Sequence, residues 1–201
     1  CAHDTLTVQG DWNLFQNTLT WNNPNSDCTD DVIGYKIYYT PVWGGDLTFF
    51  ESIISSSDTS FLNGNMVSIA GCYAVSALDT NLNESPLGDS VCVDNCPVYE
   101  LPNIFTPGGD GKNDLFHPLP YRFVAKINIR VFNRWGQMVF ESTDPDIMWD
   151  GRNITKKMCP TGVYFYVCRV HEIRLTGIET RVLKGYVHLV SENGGGVQQN
   201  N

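Results

Sequence analysis

Apolar and polar positions alternate along this chain with a period of two, the spacing of strands that cover a core with one face. In YKIYY, Tyr35, Ile37 and Tyr39 fall on one side and Lys36 and Tyr38 on the other. TLTW (18–21), GYKIYYTP (34–41) and CYAVSALD (72–79) repeat the pattern, with turn-forming residues between them. Further on, KINIRVFNRWG (126–136) sets Ile127, Ile129 and Val131 against Lys126, Asn128 and Arg130. NRWGQ then turns and MVFES returns, so 126–142 reads as a hairpin. GVYFYVCRVHE (162–172) and TRVLKGYVHLV (180–190) form a second hairpin around Gly177. No stretch long enough for a helix carries a helical period. The pattern predicts an all-β chain built from tandem β-sandwich domains, the first of roughly seven strands.

Composition adds a boundary. The 201 residues are enough for one large domain or two of about 100. At 42% hydrophobic the chain can fill a core, and it contains no apolar run of the length a membrane-spanning helix needs. Residues 1–96 hold twelve acidic residues and one basic residue, Lys36, for a net of −11; residues 97–201 hold ten acidic and twelve basic, for a net of +2. The change falls at VCVDNCPVYELPN, where Pro97 and Pro102 interrupt any regular element. The expected division is a domain at 1–96, a domain at 97–190 and a flexible tail or tag remnant at 191–201. The chain opens on Cys1 without a basic-then-apolar leader and soon enters strand, so it reads as the C-terminal piece of a longer protein.

Two resemblances follow from these segments. An early Trp strand, then GYKIYY, then YAVSALDTNLNESPLGDSV resembles a fibronectin type III domain over roughly residues 1–95. The resemblance makes Trp21 the core tryptophan and Tyr73 the core tyrosine of the penultimate strand. Cys72 opens one of the last two strands and Cys92 ends the other, so antiparallel pairing would join them as a disulfide; Cys1–Cys28 is a second candidate pair. Seven cysteines leave an odd thiol, and Cys92 with Cys96 lacks the second pair that a zinc site needs.

In the second half, LPNIFTPGGDGKNDLFHPL, IRVFNRWGQMVFES, DPDIMWDGR, CPTGVYFYVCRV and LKGYVHLV occur in that order. Together they resemble the type B gliding-motility C-terminal domain of Bacteroidota surface proteins, the sorting signal of the type IX secretion system. Two departures stand out: Gly108 occupies a loop position where that family usually has Asn, and SENGGGVQQNN continues past the usual end. The resemblance implies an Ig-like β-sandwich exported in folded form to the cell surface. It also implies recognition by the type IX translocon and by a PorP/SprF-type outer-membrane β-barrel. The first domain would then be a stalk or adhesive spacer. Sorting signals of this family act through their final strands, so the resemblance places the contact on the last hairpin and the basic residues near it. Arg130, Arg134, Trp135, Arg169, Lys184, Gly185 and Tyr186 are the candidate partner-binding residues.

The loop FTPGGDGKNDLF is the main candidate for chemistry. Asp110, Asn113 and Asp114 with the Lys112 carbonyl would supply four oxygens to Ca2+, but Gly108 removes the first ligand of such a loop and Leu119 stands where an EF-hand needs Glu. The same residues also make a rigid turn, because Asp and Asn bond to nearby backbone and Gly takes positive φ. DPDIMWDG reads as another turn over a buried Trp149. Trp135 reads as a plug for its hairpin, or, if exposed, as a contact anchor. Trp43, Phe49 and Phe50 read as strand core; exposed, they would instead suit a sugar, and a calcium- or carbohydrate-binding adhesin is the rival function. Asp4-Thr5-Leu6 resembles the O-glycosylation acceptor of this phylum, at Thr5. The four histidines belong to no H-E-x-x-H or G-x-S-x-G motif, so no enzyme and no nucleic-acid partner is expected.

Overall fold

The computed structural model describes residues 6–26 and 30–191; Thr5, Cys1 and Cys28 lie outside them. The chain divides into two compact units, Cys1–Cys96 with Arg174–Gly177, and Pro97–Ile173 with Ile178–Asn201.

The first unit contains two sheets. β1 (Thr7–Asp11), β2 (Gln16–Thr20) and β5 (Ser60–Asn63) form one, in the order β1-β2-β5; β3 (Val32–Thr40), β4 (Thr48–Ile53), β6 (Gly71–Asp79) and β7 (Val91–Val93) form the other, in the order β4-β3-β6-β7. Their neighbours run antiparallel. The period-two pattern has its expected consequence: Tyr35, Ile37 and Tyr73 are buried with Leu19 and Trp21, and Tyr39 packs against them. Trp21 and Tyr35 meet edge to face at 5.3 Å. Asn17 is buried at the same place, its Nδ2 donating to Ile69 O at 2.8 Å and to Tyr73 Oη at 3.0 Å, so its donors stay bonded inside the core. Cys72 and Cys92 lie opposite one another on β6 and β7 and are joined in a disulfide.

Trp43, Phe49 and Phe50 depart from the strand-core expectation: they are 63%, 57% and 41% exposed. The cause is position. β4 is the outermost strand of its sheet, and its residues are exposed along nearly its whole length. Trp43 sits beyond the end of β3.

The second unit is one five-stranded sheet backed by a layer of short segments. β8 (Ile104–Phe105), β9 (Val124–Phe132), β10 (Met138–Ser142), β11 (Gly162–Arg174) and β12 (Gly177–Leu189) stand in the order β10-β9-β11-β12-β8. The inner face carries Ile127, Ile129 and Val131 from β9, Tyr164, Cys168 and Val170 from β11, and Val187 and Leu189 from β12, all buried. The opposing layer holds Tyr99, Phe116, Ile147, Trp149 and Cys159, tied by isolated bridges such as Phe116 to Trp149. Trp149 is its centre. The rings of Phe105, Phe140 and Tyr164 lie 5.1–5.6 Å from it, and its indole N–H donates to Arg152 O at 2.7 Å. A buried aromatic with its polar atom bonded contributes area without leaving an orphan donor.

Candidate recognition surface

The FTPGGDGKNDLF loop closes on itself. Asp114 Oδ1 accepts N–H bonds from Gly108 and Gly109, and its Oδ2 accepts one from Gly111 at 2.7 Å. Asp110 Oδ1 caps the Lys112 N–H at 2.9 Å. Gly109, Gly111 and Asn113 take positive φ of 78°, 81° and 52°, the region that Gly and Asn tolerate best. The N–H of Gly109 leads the bonds that hold the Asp114 carboxyl below its ordinary range. Thr106 N–H to Asn113 O, 2.8 Å, ties the loop's base. That tie delivers Phe105 and Phe116 side by side, 5.8 Å apart, into the core beside Trp149. These bonds hold the turn through both Asp114 oxygens. Among the described residues no group of three or more His, Cys, Asp or Glu side chains converges as a metal site.

Two aspartates of DPDIMWDG hold turns and the third makes a long-range bond. Asp144 accepts from the Asp146 N–H, Asp150 from the Arg152 N–H, and Asp146 from the Tyr121 hydroxyl.

The candidate contact residues separate into three groups. Arg130, Arg169, Lys184 and Tyr186 lie on the outer face of the sheet, because β9, β11 and β12 each send the alternate residues to the core. Register brings Arg169 beside Asn128 and Val167 beside Arg130. Lys126 stands on the same face beside His171, giving four fixed cations there. Glu141 is opposite Arg130 and pairs with it weakly, at 3.9 Å between exposed groups.

Arg134 and Trp135 form the turn of the β9–β10 hairpin. The guanidinium lies 4.6 Å from the centre of the Trp135 ring, in cation–π contact. Trp135 is 71% exposed, so it plugs nothing. The Asn133 side chain holds the turn by accepting the Trp135 and Gln137 N–H groups. Beside it runs a groove of about 680 Å³, lined among others by Met138, Ile154, Met158, Val163 and Phe165. Alternation in GVYFYVCRV hides this, since both parities there are apolar or aromatic; only the sheet's layer assignment separates buried Tyr164 from exposed Phe165.

Gly185 points the other way. A Cβ there would lie 2.5 Å from the Tyr166 hydroxyl and 2.7 Å from its ring. It is a packing position: the ring of Tyr166 crosses the strand where no side chain stands.

Residues 99–189 match the family model of the CHU_C type IX secretion signal domain. No curated protein matches the chain. Among solved structures, the chicken CNTN1 FN1–FN3 domains are similar at 10% identity and a TM-score of 0.37, over 93% of this chain and 67% of that one. The central fibronectin-III array of RIM-binding protein is similar at 12% identity and 0.33, over 91% and 68%. At these scores the two likenesses carry no further argument. The motifs, the five-stranded sheet and the family match coincide on one segment: residues 99–189 are similar to the CHU_C type IX secretion signal domain.

Proposed function

We propose that the second unit is recognised in folded form by the type IX translocon and by a PorP/SprF-type outer-membrane β-barrel, and that it brings the protein to the cell surface. The observation that carries this is the outer sheet face. Four fixed cations and exposed aromatics share a surface of an otherwise acidic chain, with Glu141 set against them. A basic face with aromatic anchors suits steered docking onto a partner of opposite charge. Arg130, Arg169, Lys184 and Tyr186 supply charge and contact across the sheet; Arg134 and Trp135 supply an anchor at its end.

The first unit serves as a stalk or adhesive spacer. Its exposed Trp43 and Phe49 favour a second role, stacking against sugar rings, which would make this unit a carbohydrate-binding module. Surface labelling of the full chain in a type IX-competent cell tests the first proposal. Charge reversal of Arg130, Arg169 and Lys184 together is expected to lower display without altering the fold; unchanged display would refute the role of this face. A glycan array probed with the chain and with a Trp43→Ala, Phe49→Ala variant tests the second. Binding that the variant loses supports it, and absence of binding removes it.

A further inference from the structure

β12 has an open edge. One side of this strand pairs with β11. The other meets β8 only at His188 and Leu189. There His188 N–H donates to Asn103 O and Val190 N–H to Phe105 O. Main-chain groups in an antiparallel strand alternate between its two sides, so the even-numbered residues of β12 direct theirs away from β11. Odd-numbered Leu183, Gly185, Val187 and Leu189 keep the inner face without a break in parity. The Thr180 hydroxyl meets His171 at 3.0 Å on the outer face, in the same register as Gly185 under Tyr166. The strand is therefore regular along this length. From Ile178 to Tyr186 no strand among the described residues takes up that edge. Its first six residues, Gly177–Val182, are all exposed. A long unpaired edge of this kind is a template for another strand.

We infer that this edge receives an extended, acidic polypeptide segment of the export partner by strand addition. This names the partner chemistry of the surface proposed above and rests on that reading. Ile178, Thr180, Val182, Lys184 and Tyr186 would exchange main-chain hydrogen bonds with the incoming strand. Charge selects the occupant. Lys184 lies on the edge strand itself, and Arg169, Arg130 and Lys126 continue across the same face. A second copy offering its own β12 would set basic face beside basic face, which opposes that pairing.

The test uses the full chain, labelled with 15N, and two capped seven-residue probes: alternating Glu and Val, and alternating Lys and Val. The acidic probe is expected to slow amide exchange at Thr180, Val182 and Lys184 by roughly tenfold or more, as main-chain pairing does. The basic probe is expected to leave them unchanged. Val182→Pro removes an N–H that faces away from β11, so the β11–β12 ladder stays intact. It should abolish the effect with the melting temperature preserved; Lys184→Glu provides a second variant that keeps every backbone group. Equal response to both probes, protection of these amides in the free chain, or dimerisation of the free chain through this edge would each overturn the inference. Surface display separates the two levels. If the wild-type chain is not displayed, the export proposal fails on its own. If the wild type and Val182→Pro are displayed equally, the edge is not the partner's contact and the inference fails alone.

Discussion

Glu84 shows how much order one carboxylate can hold at an exposed site. It accepts from Lys36 Nζ at 2.6 Å, from the Tyr38 hydroxyl and from Ser76 Oγ at 2.7 Å. The Lys36 bond leads, followed by Tyr38 and Ser76, in drawing its pKa down to about 2 from 4.5. A carboxyl lowered on folding stabilises the protein above its unfolded value, and that contribution is lost as pH falls through the folded value. The melting temperature should therefore fall as pH drops from 4.5 towards 2, and Glu84→Gln should flatten that part of the profile. A profile unchanged by the substitution would contradict this. Asp114 behaves in the same direction, through its backbone donors. Because the turn is already held by its own backbone donors, added Ca2+ should leave the melting temperature of the chain unchanged; a calcium-dependent rise would support the metal loop instead. At this scale the sequence was informative about turn chemistry, since Asp, Asn and Gly at close spacing have few other uses. It was silent on which donors each aspartate would meet, because those come from backbone folded back from several residues away. For a related reason the sequence left Trp135 open between a plug and an exposed anchor: nothing local says which way an aromatic in a turn will face.

Elements were the most legible level. The Ile127, Ile129 and Val131 stripe is the inner face of β9, and both hairpins of the second unit stand where alternation placed them. Alternation failed at two kinds of place. On β4 it could not reveal an edge, so Phe49 and Phe50 looked like core. On β11, where neighbouring residues are apolar on both sides, it could not say which face was covered. Gly185 ties β11 to β12 by close approach. Gly185→Val should destabilise the second unit by roughly 1–3 kcal/mol through overpacking against Tyr166. Adding Tyr166→Ala should make the combined loss smaller than the sum of the single losses, since the clash disappears. Denaturant titration of the two single variants and the double measures this, and simple additivity would contradict the packing role. In the first unit the Cys72–Cys92 disulfide closes a span of 20 residues. Replacing both with Ser should cost about 3 kcal/mol by the chain-entropy relation, read as a lower denaturation midpoint for that unit. No change in midpoint would mean that the crosslink constrains little in the unfolded chain.

At the level of the whole molecule, charge and sheet faces make a single pattern. The acidic excess is confined to residues 1–96, while the second unit sets four of its bases, Lys126, Arg130, Arg169 and Lys184, on the outer face of one sheet. The family match spans residues 99–189 within that unit. What the sequence lacked was the layer order, which turns separate cations on three strands into one surface. The central claim is that the second unit is the export signal. It is tested most directly by measuring the fraction of protein accessible to surface labelling in a type IX-competent cell, for the full chain and for a chain ending at Cys96. The full chain is predicted to reach the surface and the shortened chain to remain in the periplasm. Equal surface fractions for the two would contradict the claim.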